Sequence, residues 1–421
     1  MPNRSVNGIL RLIVVTLSLM VTNLAAEETD RSSVSAEDHP LILAHYMPWY
    51  QAKPFASSWG WHWTMNNYDP ESTSATTGLP SLASHYHPLI GPYDSGEPAV
   101  LECQLLQMKL AGIDGVIVDW YGLTNFRDYA SLHRNTSRLV EQVSRLGMKF
   151  VICYEDQTVP ALVEAGKLDP MSRIEHVAKE IDWLQDHWFS LDAYVRVDDR
   201  PVLLSFGQSG LSDAEWTDCL KLVSKPDTST SSSSKPVTYI SQHHRRTAAA
   251  GAFDWPIPHE GLGGVSRFLK AAKEMPIAIP VVFPRFVDIY AEAKVHESWG
   301  RVEDSDGQIF RESLRQAIAS KPRLIQIATW NDWGEGTVIE PSHEFGYRDL
   351  IHLQETRRVQ MDPNFPANAA DLKLPHELLQ LRRENPTPEK AAFFDRTAIQ
   401  IADGEMAEAR TALRAMRDGD K

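Results

Sequence analysis

Cysteine is scarce in this chain of 421 residues, whose three cysteines are Cys103, Cys153 and Cys219. Three cysteines allow at most one disulfide bond, so disulfide bonds do not form the framework of this fold. Cys153 lies in the apolar run FVICYE and is expected to be a small core residue. The histidines, including the pairs His243-His244 and His85-x-His87, lack a third ligand at zinc spacing. The sequence therefore predicts no metal and no cofactor.

Basic residues are also fewer than acidic ones. The chain has 42 Lys and Arg and 56 Asp and Glu, which gives a formal net charge of −14. This acidic excess argues against nucleic acid and anionic membrane surfaces as partners. The chain has no internal repeat, no Gly-rich phosphate cradle and no Ser-His-Asp order. Hydrophobic residues make up 43% and aromatic residues 9%, with 12 Trp, which is typical of a globular protein slightly rich in tryptophan.

The N-terminal apolar run, Leu12 to Val21, is too short to span a membrane comfortably. Arg4 and Arg11 precede it, and small residues ending at Ala26 follow it, which predicts a secretory signal peptide over residues 1–26. An uncleaved anchor is the alternative. Loss of the leader takes the net charge from −14 to −16, because the leader holds those two arginines and no acid. We therefore expect a secreted or periplasmic protein with no membrane in its mature form.

Short β-rich runs alternate with amphipathic helical patterns, and several runs are apolar throughout, as buried parallel strands are. This alternation predicts a (β/α)8 TIM barrel over residues 27–375 and a small C-terminal helical extension over 376–421. The low-complexity segment Thr228 to Pro236 is expected to be an exposed linker. The predicted strands are Leu41 to Met47, Gly115 to Tyr121, Lys149 to Glu155, Pro201 to Phe206, Val237 to Gln242, Ala252 to Trp255, Ile279 to Phe283 and Arg323 to Thr329.

The motif WNDWGEGTVIEP, residues 330–341, follows the last predicted strand and carries two acids three residues apart, Asp332 and Glu335. Catalytic residues of (β/α)8 barrels lie at the carboxyl ends of the strands, and flat indole rings are suited to stacking on sugars. The motif therefore indicates a glycosidase with Glu335 as general acid and Asp332 as base. An isolated D-x-x-E is more often a helix cap or a solvated surface feature.

The other strand ends are also rich in aromatic and acidic residues, which is typical of a pocket for a neutral polyhydroxylated ligand such as an oligo- or polysaccharide. The long connection 48–114 is expected to shape this cleft, and its alternating Trp59, Trp61 and Trp63 suggest a hairpin-like face of three indoles. The predicted substrate-binding residues are Tyr46, Trp49, Asp119, Trp120, Tyr121, Glu155, Trp255, Arg285, Asn331, Trp333 and Glu340.

Several of these residues have structural alternatives. Trp120 and Tyr46 could equally be core aromatics that cap the barrel. Glu155 could instead form a buried ion pair with Arg285, and Asp119 could cap the following helix.

Five segments, HYMPWY (45–50), HPLIGPYDS (87–95), GIDGVIVDWYG (112–122), ICYED (152–156) and WNDWGEGTVIEP, occur in an order that resembles the glycoside hydrolase family 71/99-like group. The resemblance spans roughly residues 41–350. Family 99 members include endo-α-mannosidases, and their matching motif holds two Glu that serve as base and as acid/base. By resemblance, Asp332 and Glu335 take these roles, and Glu155 contacts substrate hydroxyls.

This chain departs from the family 99 pattern at Asp332, whose carboxylate is drawn back by about 1.5 Å, one C–C bond length. The Asn-Asp-aromatic-Gly-Glu variant is similar to the inverting family 71 α-1,3-glucanases. Family 99 implies retention through a 1,2-anhydro sugar, so the two resemblances conflict on stereochemistry. The functional alternatives are a glycosyltransferase-associated relative of the same barrel and a non-catalytic glycan-binding barrel.

Overall fold

The computed structural model of the protein describes residues 39–223 and 236–419. The predicted signal peptide lies outside these ranges, as does all but the last residue of the predicted linker 228–236. Within the described ranges, no helix combines the length and apolar character needed to cross a membrane.

Twelve strands occur in the described ranges, and most coincide with the predicted apolar runs. In chain order they are Leu41–Tyr46 (β1), Gly115–Trp120 (β2), Lys149–Glu155 (β3), Arg196–Val197 (β4), Arg200–Phe206 (β5), Thr238–Gln242 (β6), Gly251–Phe253 (β7), Ile277–Ile279 (β8), Val281–Val282 (β9), Phe286–Val287 (β10), Arg301–Val302 (β11) and Leu324–Ile327 (β12).

Twelve α-helices accompany them within the same ranges. They are Trp61–Thr64 (α1), Pro98–Ala111 (α2), Tyr129–Arg145 (α3), Thr158–Glu164 (α4), Arg173–His187 (α5), Asp213–Val223 (α6), Leu262–Ala272 (α7), Gln308–Ala319 (α8), Arg348–Gln360 (α9), Leu374–Glu384 (α10), Pro388–Ala402 (α11) and Met406–Gly419 (α12). Short 3-10 turns cover Pro170–Ser172 and Asp371–Lys373.

A parallel sheet forms the barrel, in the order β8, β7, β6, β5, β3, β2, β1, β12, β9. Nearly every strand residue is buried, which explains why the runs are apolar throughout rather than alternating. The predicted (β/α)8 fold is confirmed. Its carboxyl-terminal rim collects the side chains that follow each strand.

The seventh strand differs from the prediction of a single run from Ile279 to Phe283. It is divided into β8 and β9 at Pro280, which has no N–H to donate to a ladder. β8 pairs with β7, and β9 pairs with β12, so the two halves together bridge the ends of the sheet. The Pro280 carbonyl still accepts a hydrogen bond from the Gln326 N–H at 3.1 Å, which keeps the wall continuous at the break.

Helix α2 shows how the C-terminal helices attach to the barrel. It begins with Pro98, whose missing N–H costs nothing in a first turn, and it ends before Gly112 at φ 88°, a left-handed position suited to glycine. Glu102 of α2 is buried and accepts hydrogen bonds from Arg382 of α10 at 2.8 and 2.9 Å. Helix α10 starts at Leu374, so the predicted boundary at 375/376 falls within its first turn.

Candidate active site

Four carboxylic acids gather at the carboxyl-terminal mouth of the barrel. Asp119 lies near the end of β2, Glu155 ends β3, and Asp332 and Glu335 lie on the loop after β12. Asp119 is close enough to Asp332, Glu155 and Glu335 for their charges to interact. In the described chain, none of the four is paired with a Lys or Arg within ion-pair distance. The mouth is therefore a cluster of acids with which no Lys or Arg of the described residues forms an ion pair.

The loop after β12 is held rigidly from both sides. The Asn331 side chain accepts from the Met47 N–H at 2.8 Å and donates to the Met47 carbonyl at 3.0 Å, which ties the loop to the end of β1. The Trp333 N–H donates to the Tyr50 hydroxyl at 2.9 Å. From the opposite side, the Val287 N–H donates to the Glu335 carbonyl at 2.9 Å. These contacts fix where the two acids of the motif lie.

Asp332 is anchored by the backbone of its own loop. Its N–H donates to the Thr329 hydroxyl at 2.7 Å, and its Oδ1 accepts from the Glu335 N–H at 3.0 Å. The side chain retains only 4% of its accessible surface. Burial raises the pKa of Asp332 to about 6, although the backbone hydrogen bonds from Glu335 and Gly334 act to lower it. Asp332 is therefore mostly ionised at neutral pH.

Glu335 has the opposite protonation at neutral pH. Burial raises its pKa well above the ordinary value, and the neighbouring charges of Asp332, Asp288 and Asp119 raise it further. Its Oε2 is inaccessible to solvent and makes no hydrogen bond within the described chain. Two acids three residues apart thus differ in protonation, which is the condition for one to give a proton while the other takes one.

The remaining two acids are also held neutral. Burial, followed by the charge of Asp332, raises the pKa of Asp119 to about 8, and Asp119 Oδ1 has no hydrogen-bond partner in the described residues. Burial and the charge of Asp119 raise the pKa of Glu155 well above its ordinary value. A protonated carboxyl can donate one hydrogen bond and accept others, which suits it to sugar hydroxyls.

Aromatic rings enclose a cavity of about 320 Å³ above Asp332. Trp49 stacks on His62 with ring centroids 4.3 Å apart and planes within 8°. His296 contacts Tyr290 at 4.5 Å and Trp299 at 4.7 Å, and these three rings also line the cavity. Trp299 is 60% exposed and Trp61 is 41% exposed, so both present indole faces at the rim. Flat apolar faces beside acids suit a sugar ring.

Four of the predicted binding residues, counting Asp119 itself, therefore lie at this mouth with acids or rings of the cavity. Trp49 and Tyr121 line the cavity, and Glu155 lies close to Asp119. Asn331 and Trp333 are fully buried beneath them and position the loop.

Tyr46 and Glu340 lie one layer below the cavity, in a buried network. The Tyr46 hydroxyl donates to Gln104 at 2.7 Å, and the Gln104 amide donates to Glu340 at 2.7 Å. Glu340 also accepts from the Tyr93 hydroxyl at 2.8 Å, and that hydroxyl accepts from the Trp333 indole at 3.2 Å. Burial raises the pKa of Glu340 to about 8. This placement supports the loop rather than contacting a ligand in the cavity.

Trp120, Trp255 and Arg285 also point elsewhere. Because side chains alternate along β2, Asp119 faces the barrel interior while Trp120 faces outward, where it stacks on Trp183 at 6.2 Å. Trp255 packs edge-on against His45 at 4.8 Å inside the barrel.

Arg285 is fully buried. It donates to Asp349 at 2.8 Å and Asp304 at 3.1 Å, and lies 3.6 Å from the Phe345 ring centroid. The alternative of a Glu155–Arg285 ion pair is therefore wrong, because these two aspartates already hold the guanidinium.

The three indoles predicted on one face are also placed differently. Trp61–Thr64 is a helical turn, so Trp61 and Trp63 point apart, and Trp63 is fully buried while Trp61 lines the cavity. His62, Tyr290, His296 and Trp299 were not predicted from the sequence. His62 lies in the single turn of helix α1 and the other three lie on loops with no periodic pattern, so only their aromatic character could have drawn attention to them.

No group of His, Cys, Asp and Glu among residues 39–223 and 236–419 has the geometry of a metal site. No protein-family model matches the chain.

Two curated proteins are similar to the chain along most of their length. A glycoprotein endo-alpha-1,2-mannosidase-like protein of Danio rerio is 24% identical, with 73% of each protein covered. The glycoprotein endo-alpha-1,2-mannosidase of Mus musculus is 22% identical, covering 76% of this chain and 73% of the mouse protein.

Solved structures share the fold at lower identity. The GH99 endo-alpha-mannosidase from Bacteroides thetaiotaomicron, in complex with bis-tris propane, superposes with a TM-score of 0.58 at 18% identity and covers 78% of this chain and 99% of its own. A protein described as glycoside hydrolase-like gives a TM-score of 0.53 at 16% identity, with 76% and 94% covered. Relatives of this class support glycoside hydrolase activity, and the resemblance to the family 99 group that the motifs predicted is confirmed.

Proposed function

We propose that the protein is an exported glycoside hydrolase that cleaves an α-linked glycan, α-mannan-like or α-glucan-like, by carboxylate acid/base catalysis. The observation that carries this proposal is the pair of acids on the loop after β12. Asp332 and Glu335 have raised pKa values and differ in protonation at neutral pH, beside a cavity walled by aromatic rings. The names of the similar mannosidases favour an α-mannan-like substrate.

In this mechanism Glu335 protonates the glycosidic oxygen as the bond to the anomeric carbon breaks. The raised pKa keeps the carboxyl protonated until it donates the proton to the leaving oxygen. Within the described chain, Oε2 has no other hydrogen-bond partner that would compete for this role. Asp332, ionised at neutral pH, accepts the second proton of the reaction. Protonated Asp119 and Glu155 hold the hydroxyls of the sugar at the cleavage point.

Two routes are open for the proton that Asp332 accepts. In the first, Asp332 deprotonates the 2-hydroxyl of the sugar, which attacks the anomeric carbon to give a 1,2-anhydro sugar, and water then opens it with overall retention. In the second, Asp332 deprotonates a water that attacks the anomeric carbon directly, with inversion. The family 99 resemblance favours the first route, and the aspartate in place of glutamate is the feature that favours the second.

The test is incubation of the purified mature protein with a panel of α-mannans, α-glucans and β-linked polysaccharides, followed by proton NMR of the anomeric signals. Release of α-linked fragments supports the proposal, and the configuration of the first product distinguishes the two routes. Absence of cleavage across the α-linked panel, with glycan binding retained, would favour a glycan-binding barrel instead.

A further inference from the structure

A second, larger cavity of about 910 Å³ lies beside the active-site cavity. The two share a wall formed by Trp49, Trp61, His62 and Tyr121, which line both. A chain of several sugars that enters the acid cluster can therefore continue across the aromatic wall into the second cavity. The chemistry of that second cavity constrains what such a chain carries.

Three arginines line the second cavity, Arg127 just before α3 and Arg134 and Arg138 on its first three turns. Arg138 donates to the Gly96 carbonyl at 2.9 Å and lies over the Phe55 ring at 5.5 Å. Arg134 donates to the Ser131 hydroxyl at 3.1 Å, and Arg127 lies over the Phe126 ring at 4.9 Å. Within the described ranges, none of the three guanidinium groups forms an ion pair with a carboxylate.

The two acids that line the same cavity are already engaged. Asp94 accepts from the Gly96 N–H at 2.8 Å and from the Ala52 N–H at 3.1 Å, so its oxygens serve the loop backbone. Asp128 lies 3.4 Å from the His62 ring nitrogen. The guanidinium groups therefore keep most of their N–H donors available, and a guanidinium is the side chain that best matches the paired oxygens of sulfate, phosphate and carboxylate.

The two cavities differ in the charged residues that line them, because arginines line the second cavity and no Lys or Arg of the described chain lines the active-site cavity. Asp332 lines the active-site cavity, and its carboxylate, mostly ionised at neutral pH, repels an anionic sugar. In the second cavity the three guanidinium groups outnumber the two carboxylates, Asp94 and Asp128, by one. Since the whole chain carries a net charge of −14, general attraction of an anionic glycan to the surface is disfavoured. The cationic cavity is a local exception.

We propose that the second cavity binds an anionic substituent (sulfate, phosphate or carboxylate) on a sugar adjacent to the cleaved linkage, so that the enzyme prefers glycans with a neutral sugar at the acids and a charged sugar beyond the aromatic wall. This inference rests on the proposed function, because it assumes that a glycan occupies the active-site cavity. It names the class of substrate that the site selects.

The test measures binding and cleavage separately on the full chain. The probes are α-mannan oligosaccharides of one size and three derivatives of the same preparation, one partially sulfated, one phosphorylated and one oxidised to carboxylates at primary hydroxyls. Binding is measured by calorimetry with Glu335→Gln, in which turnover is suppressed, and cleavage is measured with the wild type. At least one charged derivative is expected to bind about tenfold more tightly than the neutral one, equivalent to about 1.4 kcal/mol.

The variant Arg127→Gln/Arg134→Gln removes two cations from the cavity and leaves Arg138, which supports the Gly96 loop. It is expected to abolish the preference while leaving affinity for the neutral oligosaccharide within about twofold. The matched control is Arg396→Gln/Arg414→Gln, which removes the same charge from exposed positions on α11 and α12 and should leave the preference intact. The three derivatives show which anion the cavity takes.

Equal binding of neutral and charged oligosaccharides, no binding of either, or loss of preference in the control as well would overturn the inference. Failure of the proposed function has a different signature. In that case an arginine-dependent preference appears in the binding experiment, but the wild type cleaves none of the preparations.

Discussion

Replacing Glu335 by Gln removes the proposed proton donor and is expected to change little else. The Glu335 carboxyl is protonated at neutral pH because burial and three neighbouring acids raise its pKa, so the substitution exchanges one neutral group for another of the same shape. A general acid contributes a factor of about 10² to 10⁴ to kcat, which corresponds to about 3 to 5 kcal/mol of transition-state stabilisation. We expect that loss on a natural glycan, measured by reducing-end release. Turnover close to that of the wild type would refute the assignment.

Folding stability provides an independent check on the same substitution. A folded-state pKa raised above the unfolded value means that the stability contributed by Glu335 is complete at low pH and is lost as pH rises towards the folded-state value. Glu335→Gln removes this loss, so its melting temperature at pH 8 should equal or exceed that of the wild type. A variant that lost turnover together with stability would not identify a general acid.

Glu344 is a matched control, because its pKa is lowered whereas that of Glu335 is raised. Its carboxylate lies 2.9 Å from the His87 ring nitrogen, and hydrogen bonds from His87 lower its pKa. The stability it contributes is therefore present at neutral pH and is lost as pH falls through the folded-state value. Glu344→Gln should lower the melting temperature at pH 7 and leave kcat nearly unchanged.

Four further predictions concern the base, the pH profile, the rim and export. Asp332→Asn should abolish turnover while glycan affinity stays within about tenfold, and Asp332→Glu should keep activity on the 2-hydroxyl route but lose it where an attacking water must fit. The plot of kcat/KM against pH should be bell-shaped. It should rise around pH 6, the approximate pKa of Asp332, and fall again at higher pH as Glu335 ionises. Trp299→Ala should raise KM about two- to tenfold, the equivalent of about 0.5 to 1.5 kcal/mol of ring stacking, with little change in melting temperature. In a secreting host, N-terminal sequencing should find a product that begins near Glu27, and recovery of the intact Met1 terminus in the cytoplasm would contradict export.

The barrel was accessible from the sequence because burial on both faces leaves a strong local signal. β2 and β3 are buried at almost every position, so their residues are apolar without alternation, and their bounds match the predicted runs within a residue. The prediction of the seventh strand as a single run was wrong for a reason that is present in the sequence. Pro280 cannot donate to a ladder, and a run that includes it is divided at that point.

Which side chain faces the mouth was harder to predict, since neighbouring positions on a strand point in opposite directions. Asp119 and Trp120 both end β2, yet only Asp119 joins the acid cluster, while Trp120 packs on the outer helices. Side chains alternate between the two faces of a strand. Once Asp119 is assumed to face the interior, this alternation predicts that Trp120 faces outward. Tyr290 and Trp299 come from loops and His62 from a single helical turn, and these segments have no periodicity that gives the direction of a side chain.

Among residues 39–223 and 236–419 the four acids have no cationic partner, and this property of the site could not be seen from a sequence with 42 Lys and Arg. Arg285 follows a barrel strand and is fully buried, so it was a natural candidate to neutralise Glu155. It is held instead by Asp304 and Asp349, which come from distant parts of the chain. Had it reached the acid cluster, the nearby carboxyls would have had lowered pKa values and would have been ionised together at neutral pH. Asp304 and Asp349 hold the guanidinium instead, and the pKa of Glu335 is raised, as its proposed role as general acid requires.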